Sequence, residues 1–368
     1  MVHPHNPEVV VITGATAGVG RAVARAYARR GASIGLIARG PDGLDATRRE
    51  VEHLGGHAVA VEADVADAEA IERAAERIEW RFGPIDIWIN NAMTTVFSPF
   101  LGLSAEEFRR VTEVTYLGYV HGTMSALHRM FPRNRGCIVQ VGSALAYRSI
   151  PLQSAYCGAK HAIVGFTDSI RSELIHEGSS VHITAVHLPA VNTPQFSWCR
   201  TRLPGHPQPV PPIYQPEIMA KAIVWAAAQR RREVWVGWPT IKAILGQKFI
   251  PGWLDHYLAD YQSQQLDEPV DIDRRDNLFE PLPGDWGARG IFDDRAWSFS
   301  PQVMALTHGS WLLRLGAGLV GFGLAALAGR NVRNRKGEIH APDRGGAVQP
   351  RAAQPRAARA YERVAQEA

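Results

Sequence analysis

The chain has 368 residues, 46% hydrophobic and 21% charged, enough for one large domain or two with a sizeable core. Its formal charge of +4 is uneven: residues 330–368 hold nine Lys/Arg against four Asp/Glu, so the rest sits near −1, which excludes a basic nucleic-acid-binding body. Three scattered cysteines exclude a disulfide framework, and fourteen histidines without a His-Glu-x-x-His or a Cys/His cluster argue against a metal centre.

The first expected element is an apolar β-branched strand at Glu8–Ile12. Thr13-Gly14-Ala15-Thr16-Ala17-Gly18-Val19-Gly20 follows at once, and Arg21–Ala28 reads as an amphipathic helix ending near Gly31. Strand, glycine-rich turn and helix form the context of a dinucleotide site: glycines let the backbone approach a pyrophosphate, and the helix start offers free N–H groups and a positive dipole end. A second strand, Ser33–Ala38, ends in Arg39, nineteen residues past Gly20. An acid there would bind a ribose 2′-hydroxyl, whereas an arginine accommodates a 2′-phosphate, so NADP(H) is expected over NAD(H). Further strands are expected at 85–89, 136–141, 181–186 and 233–236, and long helices at 105–131 and 153–177. The alternation implies a doubly wound parallel sheet in a three-layer α/β/α, Rossmann-like arrangement.

Tyr156 and Lys160, four apart on the second long helix, share one face, and Ser143 lies thirteen residues before Tyr156. An ammonium beside a phenol favours the phenolate and lowers its pKa, and a serine hydroxyl can hold the oxygen of an alcohol or carbonyl.

Taken together, these motifs resemble the short-chain dehydrogenase/reductase family, in its ordinary single-domain form, over roughly residues 6–240. The resemblance rests on Thr13-Gly14-x-x-x-Gly18-x-Gly20, Asp64-Val65, Asn90-Asn91-Ala92, the trio Ser143, Tyr156 and Lys160, and Pro189–Thr193, in the family's order. It implies that Tyr156 is the general acid and base, Lys160 holds the nicotinamide ribose and lowers the Tyr156 pKa, and Ser143 orients the substrate oxygen. It also implies a coenzyme site made of Thr13, Gly14, Thr16, Gly18, Val19, Gly20, Arg39, Asp64, Val65, Asn91, Ala92, Tyr156, Lys160, Pro189, Ala190, Val191 and Thr193. A homodimer or homotetramer through the two long helices is implied as well. Three positions depart from the family. Met93 replaces a glycine, Ala190 replaces the glycine of Pro-Gly, and Thr115 stands at the fourth catalytic position, usually asparagine, with a shorter side chain that lacks the amide's geometry.

Residues 194–216 carry seven prolines with Phe196, Trp198 and Tyr214, and correspond to the family's substrate lid. Arg200 and Arg202 read as solvated loop arginines or as contacts to an anionic group. With residues 93–97 and 144–150 the lid suggests a pocket for a mid-sized, largely apolar alcohol or ketone. Residues 241–262 look helical and complete a catalytic domain at 6–262. Residues 263–301, rich in Asp, Pro and Gly, read as an extended linker. A hydrophobic helix is expected within 302–329: Trp311–Ala328 is an eighteen-residue run with one charge, Arg314, near the lower limit for a bilayer span. Small residues recur every fourth position from Ala317 to Gly329. The reading is membrane association rather than a full span, with a soluble or surface-bound helix as the alternative. Residues 330–368 read as a disordered basic tail. Met1–Pro7 shows no signal-peptide pattern, so a cytoplasmic protein is expected, at the cytoplasmic membrane face if residues 311–328 attach.

The functional expectation is an NADP(H)-dependent oxidoreductase interconverting an alcohol and a ketone or aldehyde. The alternatives are a non-catalytic NADP(H)-binding sensor or scaffold on the same fold, and a sugar-nucleotide epimerase or dehydratase, which the glycine spacing disfavours.

Overall fold

Seven parallel strands form the central sheet of the computed structural model, which describes residues 7–269, 271 and 273–307. The strands are β1 (Val9–Thr13), β2 (Ser33–Ala38), β3 (His57–Glu62), β4 (Ile87–Asn90), β5 (Cys137–Ser143), β6 (His182–Leu188) and β7 (Glu233–Trp235). Their order across the sheet is β7-β6-β5-β4-β1-β2-β3, a doubly wound α/β sheet whose order reverses beside β1. A ligand crevice is expected outside the carboxyl ends of the strands at that switch point. β1, β2 and β5 are buried along their whole length, which is why their apolar runs are continuous rather than alternating. β3 was not among the expected strands: it is the edge strand, its residues mostly part-exposed, so it lacks the buried apolar run.

Helices α1 (Gly18–Ala28), α2 (Pro41–His53), α3 (Ala68–Phe82), α4 (Ala105–Thr112), α5 (Gly118–Met130), α6 (Ser154–His176) and α7 (Pro216–Ala227) cover the sheet faces. The expected helix at 105–131 is two helices joined by a π-helical turn at Glu113–Leu117. α4 opens with a capping box, in which Ser104 and Glu107 each accept from the other's backbone N–H. Two further helices, α8 (Trp238–Phe249) and α9 (Pro251–Ala259), occupy the stretch expected to be helical at 241–262.

The structure corrects the linker expected at 263–301. These residues fold back on the catalytic body and belong to the same compact unit as the sheet. Leu278, Ala288 and Phe292 are buried. The chain is fixed there by Arg274 Nη1 donating to Ser197 O (2.7 Å), Phe292 N donating to Asn192 Oδ1 (3.1 Å) and the Arg295–Asp267 pair (2.7 Å). Composition misled here because the segment has little regular structure and is held by side-chain-to-backbone bonds, which leave no periodic trace. The apolar run 311–328 and the basic tail 330–368 lie outside the described residues. Among the described residues, no helix is long and apolar enough to cross a membrane.

Candidate active site

The carboxyl end of β1 turns sharply at Gly14 and Gly18, both with positive φ (64° and 57°). Gly20 is forced by packing: a Cβ there would lie 2.2 Å from the Gly14 carbonyl oxygen. Thr13 and Asn91 staple this turn to the end of β4. Thr13 Oγ1 accepts from the backbone N–H groups of Asn91 (3.0 Å) and Ala92 (3.2 Å), and Asn91 Nδ2 donates to Thr13 O (3.0 Å) and Gly14 O (3.1 Å). Helix α1 therefore starts in the crevice with no side-chain cap and no acidic residue in its first turn. Those features fit a bound pyrophosphate: a positive dipole end with no competing carboxylate in the first turn, where of the N–H groups Gly18 N already donates to Gly287 O (3.1 Å).

A cavity of about 1000 Å³ runs from this turn across the strand ends. Its nucleotide end is lined by Gly14, Thr16, Gly18, Val19, Arg39, Asp64 and Val65, and its far end by Ser143, Tyr156 and Lys160. Asn91, Ala92, Pro189, Ala190, Val191 and Thr193 also face it. Thr193 packs against Gly18, and Ala190 O accepts from Tyr214 N (3.0 Å), which ties the segment after β6 to the lid.

Asp64 sits after β3 with Oδ1 accepting from Ala66 N (3.0 Å) and Oδ2 accepting from Arg110 on α4. Arg39 points its guanidinium at the folded-back C-terminal segment. Nη1 donates to Phe279 O (2.6 Å) and Nη2 to Asn277 O (2.6 Å). Burial lowers the Arg39 pKa and nearby Asp64 raises it.

At the far end, Ser143 closes β5 and its Oγ accepts from Leu145 N (3.1 Å). Tyr156 stands on the first turns of α6. Burial pushes its phenol well up, and a hydrogen bond with the Ser143 side chain pulls it back down. Lys160, one turn on, is buried, and burial lowers its pKa to about 7. Its Nζ donates to Tyr119 Oη (3.0 Å) and Val141 O (2.8 Å) and lies 5.7 Å from the Tyr156 ring centroid. The expected lowering of the Tyr156 pKa by Lys160 is not the dominant effect. In this arrangement burial dominates and the ammonium is engaged with Tyr119.

Thr115 does not line the cavity. It is fully buried in the π-helical turn, where its Oγ1 donates to Thr94 O (2.8 Å) and accepts from Thr94 N (3.0 Å). The hydroxyl ties the α4–α5 junction to the loop that follows β4.

The lid behaves differently from expectation in one respect. Neither Arg200 nor Arg202 lines the pocket: both pair with buried Glu107, at 3.1 and 2.7 Å, Arg200 also pairs with Asp276 (2.7 Å) and is largely covered, and Arg202 stays exposed to solvent as expected. Met93, Leu145, Ile150, Phe196 and Trp198 line the substrate end, as the sequence suggested; residues 94–97 do not. Trp238, Trp253 and Tyr257 from α8 and α9 complete it. These three were missed because a lone aromatic on an amphipathic helix carries no signal of which cavity it faces.

Also missed was a buried group under Ser143. His187 on β6 has Nδ1 3.3 Å from Ser143 O and Nε2 3.8 Å from Glu233, which itself accepts from Tyr147 Oη (2.8 Å) and Trp235 Nε1 (3.0 Å). Burial lowers the His187 pKa to about 4, so the ring is neutral at ordinary pH and its Nδ1–H donates to the Ser143 carbonyl.

Residues 8–201 match the family model for short chain dehydrogenases. The chain belongs to the short-chain dehydrogenase family. The uncharacterized oxidoreductase YxnA of Bacillus subtilis is 34% identical over 281 residues, covering 74% of this chain and 78% of that protein. The putative oxidoreductase SadH of Mycobacterium tuberculosis is 31% identical over 238 residues, 62% of this chain and 86% of its own length. Among solved structures, an alcohol dehydrogenase from the archaeon Thermococcus sibiricus, complexed with 5-hydroxy-NADP, superposes with a TM-score of 0.54 at 27% identity, covering 63% of this chain and 96% of that one. This short-chain dehydrogenase is thus an oxidoreductase whose crevice suits a nicotinamide coenzyme.

Proposed function

We propose that the protein is an NADP(H)-dependent short-chain dehydrogenase/reductase that interconverts a mid-sized, largely apolar alcohol and its ketone or aldehyde, with Tyr156 as the acid and base. The observation that carries this reading is the convergence of Ser143, Tyr156 and Lys160 on one end of a cavity whose other end is the glycine turn and Arg39.

The bound coenzyme supplies the hydride in reduction and accepts it in oxidation. Ser143 holds the substrate oxygen through its hydroxyl. Tyr156 transfers the phenolic proton to that oxygen as the carbon is reduced, and takes it back in oxidation. Because burial raises its pKa, Tyr156 is protonated through the neutral range, the state the reduction requires. Lys160 places a cation beside the phenolate as it forms and a donor beside the coenzyme ribose. Arg39 at the end of β2 supports NADP(H), since an acid there would oppose a 2′-phosphate.

The substrate end supports an uncharged, apolar substrate. Of the cations lining that end, Arg148 is already paired with Asp255 (2.7 Å) and Lys242 lies over the Trp238 ring (5.9 Å to its centroid), and Trp198, Trp238 and Trp253 supply broad apolar faces. Pairing of two copies through α4–α6 is supported by the exposed Phe108, Leu117 and Met124. Membrane attachment through residues 311–328 is a further part of the reading. It is tested by ending the chain after Thr307 and fractionating cells; an unchanged soluble distribution would count against it.

NADPH oxidation against a panel of ketones, aldehydes and steroids tests the reaction. Tyr156→Phe should abolish turnover while NADPH still binds; turnover retained in that variant would defeat the role assigned to Tyr156.

A further inference from the structure

The segment after α9 crosses the mouth of the coenzyme crevice, and its contacts fall on the groups that define the nucleotide end. Starting from the lid, Asn277 N donates to Trp198 O (3.1 Å). Arg39 then binds the carbonyls of Asn277 and Phe279, and Arg110, the partner of Asp64, donates from Nε to Leu278 O (3.0 Å). Pro281 packs on Gly40, and Gly284 N donates to Asp42 Oδ2 (2.8 Å). Asp285 pairs with the buried Arg21 of α1 (3.1 Å), and Gly287 O accepts from Gly18 N (3.1 Å). The chain then returns to the core at Ala288 and Phe292. One strap therefore touches the ribose-side arginine, the aspartate after β3 through Arg110, and the glycine turn.

The strap roofs the cavity without filling it: Asn277, Pro281, Leu282, Gly284 and Trp286 form part of the wall of the same 1000 Å³ space that Gly14, Asp64 and Tyr156 line. Arg39 remains able to bind a ligand. A guanidinium carries five N–H groups; even counting a long contact to Leu278 O (3.5 Å), three are used on the strap, which leaves Nε–H and one Nη2–H. The same side chain can hold the strap and a phosphate at once.

The strap is also built to lift. Leu278 is wholly buried at one end, and Ala288 and Phe292 at the other. Residues 283–286 between them are exposed, and Gly284 and Gly287 take positive φ (94° and 66°). Between the two anchors the contacts are one ion pair, from the half-exposed carboxylate of Asp285 to Arg21, and single hydrogen bonds at Phe279, Gly284 and Gly287, few enough to open locally without disturbing the core.

We propose that residues 279–287, hinged at the Leu278 and Ala288 anchors, form a latch over the coenzyme, closed onto it through Arg39, Arg21 and Gly18, and that it must open for the coenzyme to enter or leave. This rests on the NADP(H) reading above. A closed latch makes exchange slow and keeps the adenosine end out of bulk water during turnover.

Gly40 and Pro281 provide the test. A Cβ on Gly40 would lie 3.6 Å from the Pro281 Cβ, within the range a disulfide spans, and Gly40 has φ −88°, open to any side chain. In the full-length Gly40→Cys/Pro281→Cys variant, oxidation after loading with NADPH should slow its release at least tenfold in stopped-flow displacement by NADP⁺. Oxidation before loading should slow uptake similarly, and dithiothreitol should reverse both. The Asp285→Asn variant should release NADPH at least fivefold faster than the parent, because Arg21 keeps Glu50 while the strap loses its grip on α1. Release and uptake equal in the oxidised and reduced forms would overturn the latch. So would an unchanged release rate in Asp285→Asn, or thiols that fail to join under oxidant, which would place the strap away from Gly40. If the parent protein binds neither NADPH nor NADH, the coenzyme reading falls and the latch with it. NADPH binding with oxidation-independent exchange removes the latch alone.

Discussion

Lys160, which lines the cavity, donates an Nζ proton at 3.0 Å to the phenolic oxygen of Tyr119, which does not. Tyr119 Oη in turn donates to Val141 O (2.8 Å), which Lys160 also bonds, so the ammonium is held in a closed triangle. Tyr119→Phe removes one neutral acceptor from a buried cation, an interaction worth about 1.5–3 kcal/mol. The variant should lose that much stability near neutral pH in urea unfolding. Its turnover should fall less than that of Lys160→Met, since Val141 O still holds the ammonium. Turnover equal to that of Lys160→Met would assign Tyr119 a direct chemical role.

The buried lysine also predicts a pH dependence with a definite sign. Its ordinary value is 10.5 and burial lowers it to about 7 in the folded chain. Between those values the unfolded state binds more protons, so stability rises as pH climbs from 7 towards 10.5 and is lost as pH falls back through 7. Thermal unfolding of the coenzyme-free protein should show this rise, and Lys160→Met should flatten it. A parent and variant with parallel pH profiles would contradict the burial argument.

Tyr156 gives the complementary prediction for rate. Its raised pKa keeps the acid form available through the neutral range, so ketone reduction should stay level there and fall only in strong alkali. Alcohol oxidation needs the phenolate and should rise steadily with pH. Initial rates in both directions over a pH series decide it; reduction that accelerates with pH would contradict Tyr156 as the acid.

Arg39→Asp should turn the coenzyme preference. Loss of a charge-assisted bond to a phosphate costs about 1.5–3 kcal/mol, so the NADPH-to-NADH ratio of kcat/KM should drop roughly ten- to a hundredfold. An unchanged ratio would remove the basis for the NADP(H) preference. The substitution also leaves the carbonyls of Asn277 and Phe279 without their donor, so a matching loss of affinity for both coenzymes is expected.

Glu107 holds the lid. Burial would raise its pKa, but bonds from Ser104 N, Arg200 and Arg202 outweigh this and the carboxyl is lowered. Its stabilisation is therefore present above the ordinary value of 4.5 and lost as pH falls below it. Glu107→Gln should cost about 3 kcal/mol, the scale of breaking a buried pair, and raise KM more than it lowers kcat. A change confined to kcat would argue that Glu107 acts on the chemistry rather than on the lid.

Much of this molecule follows from its sequence by local rules. The fully buried strands β1, β2 and β5 announce themselves as largely apolar runs, β-branched throughout in β1, because both their faces are covered. The glycine turn is legible because Gly14, Gly18 and Gly20 each meet a steric demand that few other residues satisfy, and the Tyr156–Lys160 pair because helix geometry alone puts them on one face. What tertiary structure decided are the relations across the chain: Tyr119 behind Lys160, His187 beneath Ser143, Arg110 on Asp64, and the return of residues 277–292 over the crevice. Each joins residues tens to hundreds of positions apart through single polar bonds, with no period or spacing to mark them. A sequence fixes which groups can donate and accept; only the closed sheet and the packed helices fix which of them meet.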